Sequence, residues 1–114
     1  MLDILQYNQV ESRLMMLRNQ QVLLDFDVAE FYDVQTKEIN QAVKNNPNKF
    51  PYGYVFELEN EELDVLRSNI LTANLSKIRF NPKAFTEKGL YMLATILKSK
   101  KVTETTIEIV ETFC

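Results

Sequence analysis

Hydrophobic and polar positions along the chain change period several times, and each change marks an element. Val10 to Leu17 alternates, with Val10, Leu14 and Met16 on one side, and predicts a strand. Arg18-Asn19-Gln20 reads as a turn into a second short strand, Gln21 to Leu24, so that a hairpin opens the domain. At Asp27 the period becomes helical: Asp27 stands at the N-cap position, Glu30 three residues on completes a capping box, and Phe26 and Phe31 occupy the staple positions. This helix ends at Asp33-Val34-Gln35. A second begins at Thr36, whose hydroxyl is expected to cap it, and runs to Asn45, with Ile39, Ala42 and Val43 on its inner face. Asn45-Asn46-Pro47 stops it.

After the Pro-flanked loop Phe50 to Gly53, Tyr54 to Leu58 alternates as a strand with Tyr54, Phe56 and Leu58 inward. Asn60 caps a helix from Glu61 to Ser68, whose acidic first turn suits the positive end of the helix dipole. Residues 71–77 read as a loop and Ile78 to Phe80 as a short strand. Thr86 caps the longest helix, Glu87 to Ser99, with Leu90, Leu93, Ala94 and Leu97 at core spacing. A last helix is expected from Thr103, with Ile107 and Val110 on one side. The sum is an α+β fold: one small domain in which a hairpin and one or two later strands pack with four or five helices. Residues 1–10 are expected to be an extension and 11–114 the domain, a piece of a longer protein because nothing caps its last helix.

Composition narrows the chemistry. A chain of 114 residues has room for one core, and 46% hydrophobic with 25% charged residues is ordinary for a globular domain. No apolar run approaches the ~20 residues of a bilayer span, and the N-terminus lacks the features of a signal peptide, so a cytoplasmic protein without membrane association is expected. Cys114 is the only cysteine and histidine is absent, which leaves no internal disulfide, no thiolate cluster and no Ser-His or Cys-His nucleophile. No cofactor or catalytic residue is expected.

The net charge of -3 is unevenly spread. From Lys77 to Lys101 seven cations (Lys77, Arg79, Lys83, Lys88, Lys98, Lys100 and Lys101) face one acid, Glu87, a local charge of +6. From Glu57 to Asp64 there are five acids and no base. Such a molecule is acidic overall yet offers phosphate a positive face, although both runs also suit solvated helix faces.

The segment from Asp27 to Asn46 has the spacing of a helix-turn-helix. Ala29 is the small residue at the crossing, Val34 follows the turn, Ile39 anchors the second helix, and Asp33 takes the turn position usual for glycine, being a residue type that tolerates left-handed backbone. Gln35, Thr36, Lys37, Asn40, Gln41 and Lys44 then fall on the free face. Asn and Gln can bond the N6 and N7 edge of adenine and Lys can pair with phosphate, so Asn40 and Gln41 are the expected base readers. Lys77, Arg79 and Lys83 are the expected backbone contacts. An ordinary surface helical hairpin shows the same pattern.

The run Leu23 to Asn46 closely resembles the ORF-6 N-terminal (ORF6N-type) domain family of phages, prophages and bacteria, as do Phe50 to Leu58, Leu66 to Ser68 and Ala84 to Leu93. The resemblance implies a double-stranded DNA-binding domain related to KilA-N and Bro-N, at the front of antirepressor-like transcriptional regulators. This chain departs from the family at Phe26, where members often have a basic residue, at Asp33, where they have glycine, and in the shortened loop Asn74 to Lys77. The alternative reading is a protein-interaction module that sequesters a repressor or other regulator, served by the acidic run. A two-metal nuclease built on Glu57, Glu59, Glu61, Glu62 and Asp64 is disfavoured because a helix N-terminus explains three of them and no Lys or His stands nearby. A homodimer on a palindromic site fits a single short reading helix.

Overall fold

The computed structural model describes residues 4–69 and 80–113. Three consecutive residues of one short strand, Val22, Leu23 and Leu24, have no solvent exposure at all. A strand covered on both faces reads as an unbroken apolar run, and its neighbours account for both covers. Strands β1 (Met15–Leu17), β2 (Gln20–Leu24), β3 (Val55–Glu57) and β4 (Lys83–Phe85) form one antiparallel sheet in the order β1-β2-β4-β3. The register pairs Leu23 with Phe85 and Phe85 with Val55, while Leu24 pairs with Ala84 and Ala84 with Phe56.

These two cross-strand rows point in opposite directions. Leu23, Phe85 and Val55 enter the larger core with Val10 of α1 (Ile4–Arg13), Val28 and Tyr32 of α2 (Asp25–Tyr32), Ile39 of α3 (Thr36–Asn45), Leu90 and Leu93 of α5 (Glu87–Leu97), and Val102 and Ile109 of α6 (Lys100–Val110). Leu24, Ala84 and Phe56 meet Leu58 together with Leu63 and Leu66 of α4 (Asn60–Asn69) on the other side. The α+β architecture is therefore, among the described residues, a sheet with five helices on one face and one on the other. Each fully buried Leu or Phe stabilises it by about 1.5–3 kcal/mol.

The hairpin is confirmed, and its turn is defined: Arg18 and Asn19 have φ of 53° and 64°, the two positive values of a type I′ turn, here without glycine. Several boundaries move. Val10 belongs to α1, not to a strand, and its carbonyl accepts from the Leu14 N–H at 3.0 Å, so the strand begins only at Met15. With α1, the helices number six among the described residues, more than the expected four or five.

Helix α2 starts at Asp25 after an extended Leu24 with no side-chain cap, so Asp27 is not an N-cap. Its carboxylate instead lies 3.3 Å from the Arg13 guanidinium, and Phe26 and Phe31 enter the two separate cores and form no staple. Helix α4 begins with half a capping box one residue earlier than expected: Glu62 Oε1 accepts from the Glu59 N–H at 2.8 Å.

Thr86 does cap α5, accepting from the Gly89 N–H at 3.3 Å, but that helix ends at Leu97. Ser99 caps α6, accepting from the Val102 N–H at 3.0 Å, which starts the last helix at Lys100. Its inner stripe is consequently Val102, Thr106 and Ile109, and Ile107 faces solvent. The fourth strand is Lys83–Phe85; the expected strand from Ile78 and the loop before it lie outside the described residues, apart from Phe80, which is exposed. Among the described residues no helix is long and apolar enough to cross a membrane.

Candidate nucleic-acid interface

Helix α2 ends in a left-handed residue that redirects the chain. Asp33 has φ 60° and ψ 45°; its N–H donates to Glu30 O at 3.2 Å and the Val34 N–H reaches back to Ala29 O at 3.0 Å. Together these bonds form a Schellman motif with Asp in place of the usual glycine. Ala29 and Ile39 are buried and Val34 packs on the same core, which fixes the crossing of α2 and α3. Helix α3 consequently lies on the surface with one apolar face down.

Thr36 does not cap this helix. Gln35 is the N-cap residue, with no side-chain cap bond, and Thr36 is its half-buried first member. The C-terminal end is closed by Asn46, whose N–H donates to Val43 O at 3.1 Å and whose side-chain amide donates to Ala42 O at 2.8 Å.

Of the expected reading residues, Gln35, Lys37, Gln41 and Lys44 are exposed, together with Glu38 and Asn45. Gln41 is central: Lys37, Glu38, Lys44 and Asn45 lie three or four positions to either side, and Gln41 Nε2 donates to Asn45 Oδ1 at 3.3 Å. Asn45 is a surface residue that sequence reasoning treated only as a helix stop, although its spacing of four from Gln41 places it on this face. Beside the helix a groove of about 530 Å³ is lined by Lys37, Glu38, Gln41 and Asn45 on one side and by Ile96 and Leu97 of α5 on the other.

Asn40 is placed differently from the expectation. It is half-buried, and its side-chain amide is turned toward the carboxylate of Asp25, a residue only 4% exposed, whose charged form it favours; Asn40 Oδ1 is buried with no partner among the described residues. Asp25 also accepts from the Phe26 N–H at 2.8 Å and from the Lys83 N–H at 3.2 Å. Burial pushes its carboxyl above the usual carboxylate range, against the opposing pull of these donors and the Lys83 charge. One carboxylate thus ties the start of α2 to strand β4 and faces the inner flank of α3. Asn40 sits on that flank because helical periodicity puts it four residues from half-buried Thr36 and three from half-buried Val43. Lys83 is half-buried beside the same carboxylate, and Lys77 and Arg79 lie outside the described residues.

The acidic run from Glu59 onward lies with α4 on the opposite face of the sheet, where Glu59, Glu61 and Asp64 are exposed; Glu57 is exposed on edge strand β3. Glu62 holds Arg18 through Nε at 3.0 Å and Nη2 at 2.8 Å, with that guanidinium 4.0 Å from the Phe56 ring centre. Arg18 draws the Glu62 carboxyl below its ordinary range.

The family model described as the ORF6N domain matches residues 12–96. No curated protein and no solved structure matches the chain.

Proposed function

The chain belongs to the ORF6N domain family, and from that premise we propose that it is the duplex-DNA-binding module of a phage-type antirepressor or transcriptional regulator, reading DNA with α3. The observation that carries this reading is the pose of α3: a Schellman turn at Asp33 and the buried Ala29 and Ile39 present Lys37, Gln41, Lys44 and Asn45 outward on a helix of 10 residues. Helix-turn-helix proteins insert a helix held in this manner into the major groove. Gln41 is then the central base reader, Glu38 suits the amine of cytosine, and Lys37 and Lys44 meet phosphate.

Selection of preferred duplexes from a random pool, followed by a salt titration, tests it. Lys37→Ala and Lys44→Ala should each flatten the dependence of log affinity on log salt by about 0.9, and Gln41→Ala should weaken sequence preference. Failure to bind any duplex at low salt sinks the reading.

A second reading is favoured by the exposed Glu59, Glu61 and Asp64 on the far side of the sheet: a docking surface for a repressor or another basic regulator. Retention of a partner after nuclease treatment, lost on charge reversal of Glu61 and Asp64, supports it; retention indifferent to that reversal rules it out.

A further inference from the structure

The connection between α5 and α6 holds three lysines in positions where local backbone chemistry prefers other residues. Lys98 has φ 57° and ψ 12°, a left-handed cap conformation that favours Gly or Asn. Lys100 and Lys101 occupy the first turn of α6, which contains no acid, although the dipole there favours negative charge. Lys100 and Lys101 side chains are 90% and 61% exposed, so no burial of their stems accounts for the choice. Three departures from local preference within four residues, all of one sign, mark a surface serving something outside the fold.

Two independent contacts place this corner beside α3. Leu97, next to Lys98, lines the groove whose other wall is Lys37, Gln41 and Asn45. Lys101 Nζ lies 3.6 Å from the carboxylate of Asp33 in the turn that leads into α3. The nearest acids are Asp33, which Lys101 offsets; Glu104, 3.9 Å from Lys100 in a solvent-screened pair; and Glu38 across the groove.

We propose that the α5–α6 corner is a second phosphate-contacting surface for duplex DNA, in which Lys98 and Lys100 hold the backbone flanking α3 while Lys101 cancels the charge of Asp33 at the approach to the groove. This rests on the reading of α3 as a DNA-recognition helix and adds the residues that grip the flanking strand. Two phosphate contacts outside the groove steepen the salt dependence without altering which bases are chosen.

The test is a fluorescence-anisotropy titration of the full chain with a labelled duplex from about 50 to 200 mM salt. Lys98→Asn keeps the left-handed backbone accessible, and the lysines are exposed, so the variants are expected to melt with the wild type. The double variant Lys98→Asn/Lys100→Gln should lower the slope of log affinity against log salt by about 1.8, with the sequence preference of the wild type retained. Lys88→Gln, ten residues before Lys98 on α5, should leave the slope unchanged. Asp33→Asn should tighten binding, Lys101→Gln should loosen it, and the two together should return it close to the wild-type value.

If the wild type binds duplex and the double variant keeps its slope, or Lys88→Gln lowers the slope equally, the corner is not a phosphate surface although the α3 reading stands. If the wild type binds no duplex at low salt, it is the α3 reading that fails.

Discussion

A β-carbon on Gly89 would stand 2.0 Å from the backbone carbonyl oxygen of Tyr54. The first turn of α5 approaches the chain entering β3 so closely because Thr86 donates to Gly53 O at 2.7 Å and its backbone N–H reaches Tyr54 O at 3.2 Å. The carbonyl is backbone and held by that bond, so neither side can yield cheaply. Gly89→Ala should therefore destabilise the fold by about 3 kcal/mol, at the upper end for inserting a methyl group into packed structure. Urea denaturation followed by circular dichroism measures this; a loss below about 1 kcal/mol would mean that the helix can shift away.

Asn40 divides the roles on α3. Since its amide is turned to buried Asp25, Asn40→Ala should leave the preferred duplex sequence as it is in the wild type, whereas Gln41→Ala should degrade it. Selection from a random pool with each variant decides the matter. Asn40→Asp should be far worse than alanine, costing on the order of 3 kcal/mol, because it places a second carboxylate against a desolvated one.

Burial pushes the carboxyl of Asp27 up to about 6 from an ordinary 3.8; the Arg13 charge works against the shift, and Glu30 and Asp25 add to it. The folded protein thus holds more protons than the unfolded chain between those values, so stability is fullest at the acid end of the window and falls as pH rises toward 6 and beyond. Asp25 is shifted in the same direction. Glu62, shifted downward, acts oppositely, but its contribution is lost only as pH falls below its ordinary 4.5. The melting temperature should rise on going from about pH 7.5 to pH 5, equivalent to about 1–2 kcal/mol. Asp27→Asn should flatten that rise, and a rise of equal size in the variant would assign it to another group.

Tyr32 and Thr106 join α2 to α6. Thr106 Oγ1 donates to Val102 O at 2.7 Å and so accepts from the Tyr32 hydroxyl. Burial raises the Tyr32 hydroxyl to about 12, so it remains a donor at any ordinary pH. Tyr32→Phe should cost about 1 kcal/mol, the usual net value of one buried hydrogen bond, and Thr106→Val in the same background should add less than it does alone. A double-mutant cycle in urea gives the coupling; strict additivity would show that the two hydroxyls act separately.

Local chemistry made much of this protein legible in its sequence. Turn residues and short apolar runs predicted the hairpin; Thr86 announced α5; and Ala29, Asp33, Val34 and Ile39 announced the crossing of α2 and α3. In each case the physical cause lies within a few residues: a capping hydroxyl, a backbone that tolerates left-handed dihedrals, or a 3.6-residue period.

Tertiary structure decided what local rules leave degenerate. Asp27 and Glu30 have capping-box spacing, yet Arg13 draws both carboxylates, and Leu24 at the N-cap position has no side-chain cap bond to offer. Asn40 looks as free as Gln41 on a helical wheel, because one position of rotation separates outward from inward. Only the buried carboxylate of Asp25, contributed from another helix, shows which of the two faces solvent. The sheet register likewise turned an apolar run into a strand covered on both faces. The lysines of the α5–α6 corner lie more than fifty residues from α3 in the chain, and packing alone brings them to its side. Periodicity determines which residues go inward on each element; contacts between elements determine where the outward ones meet.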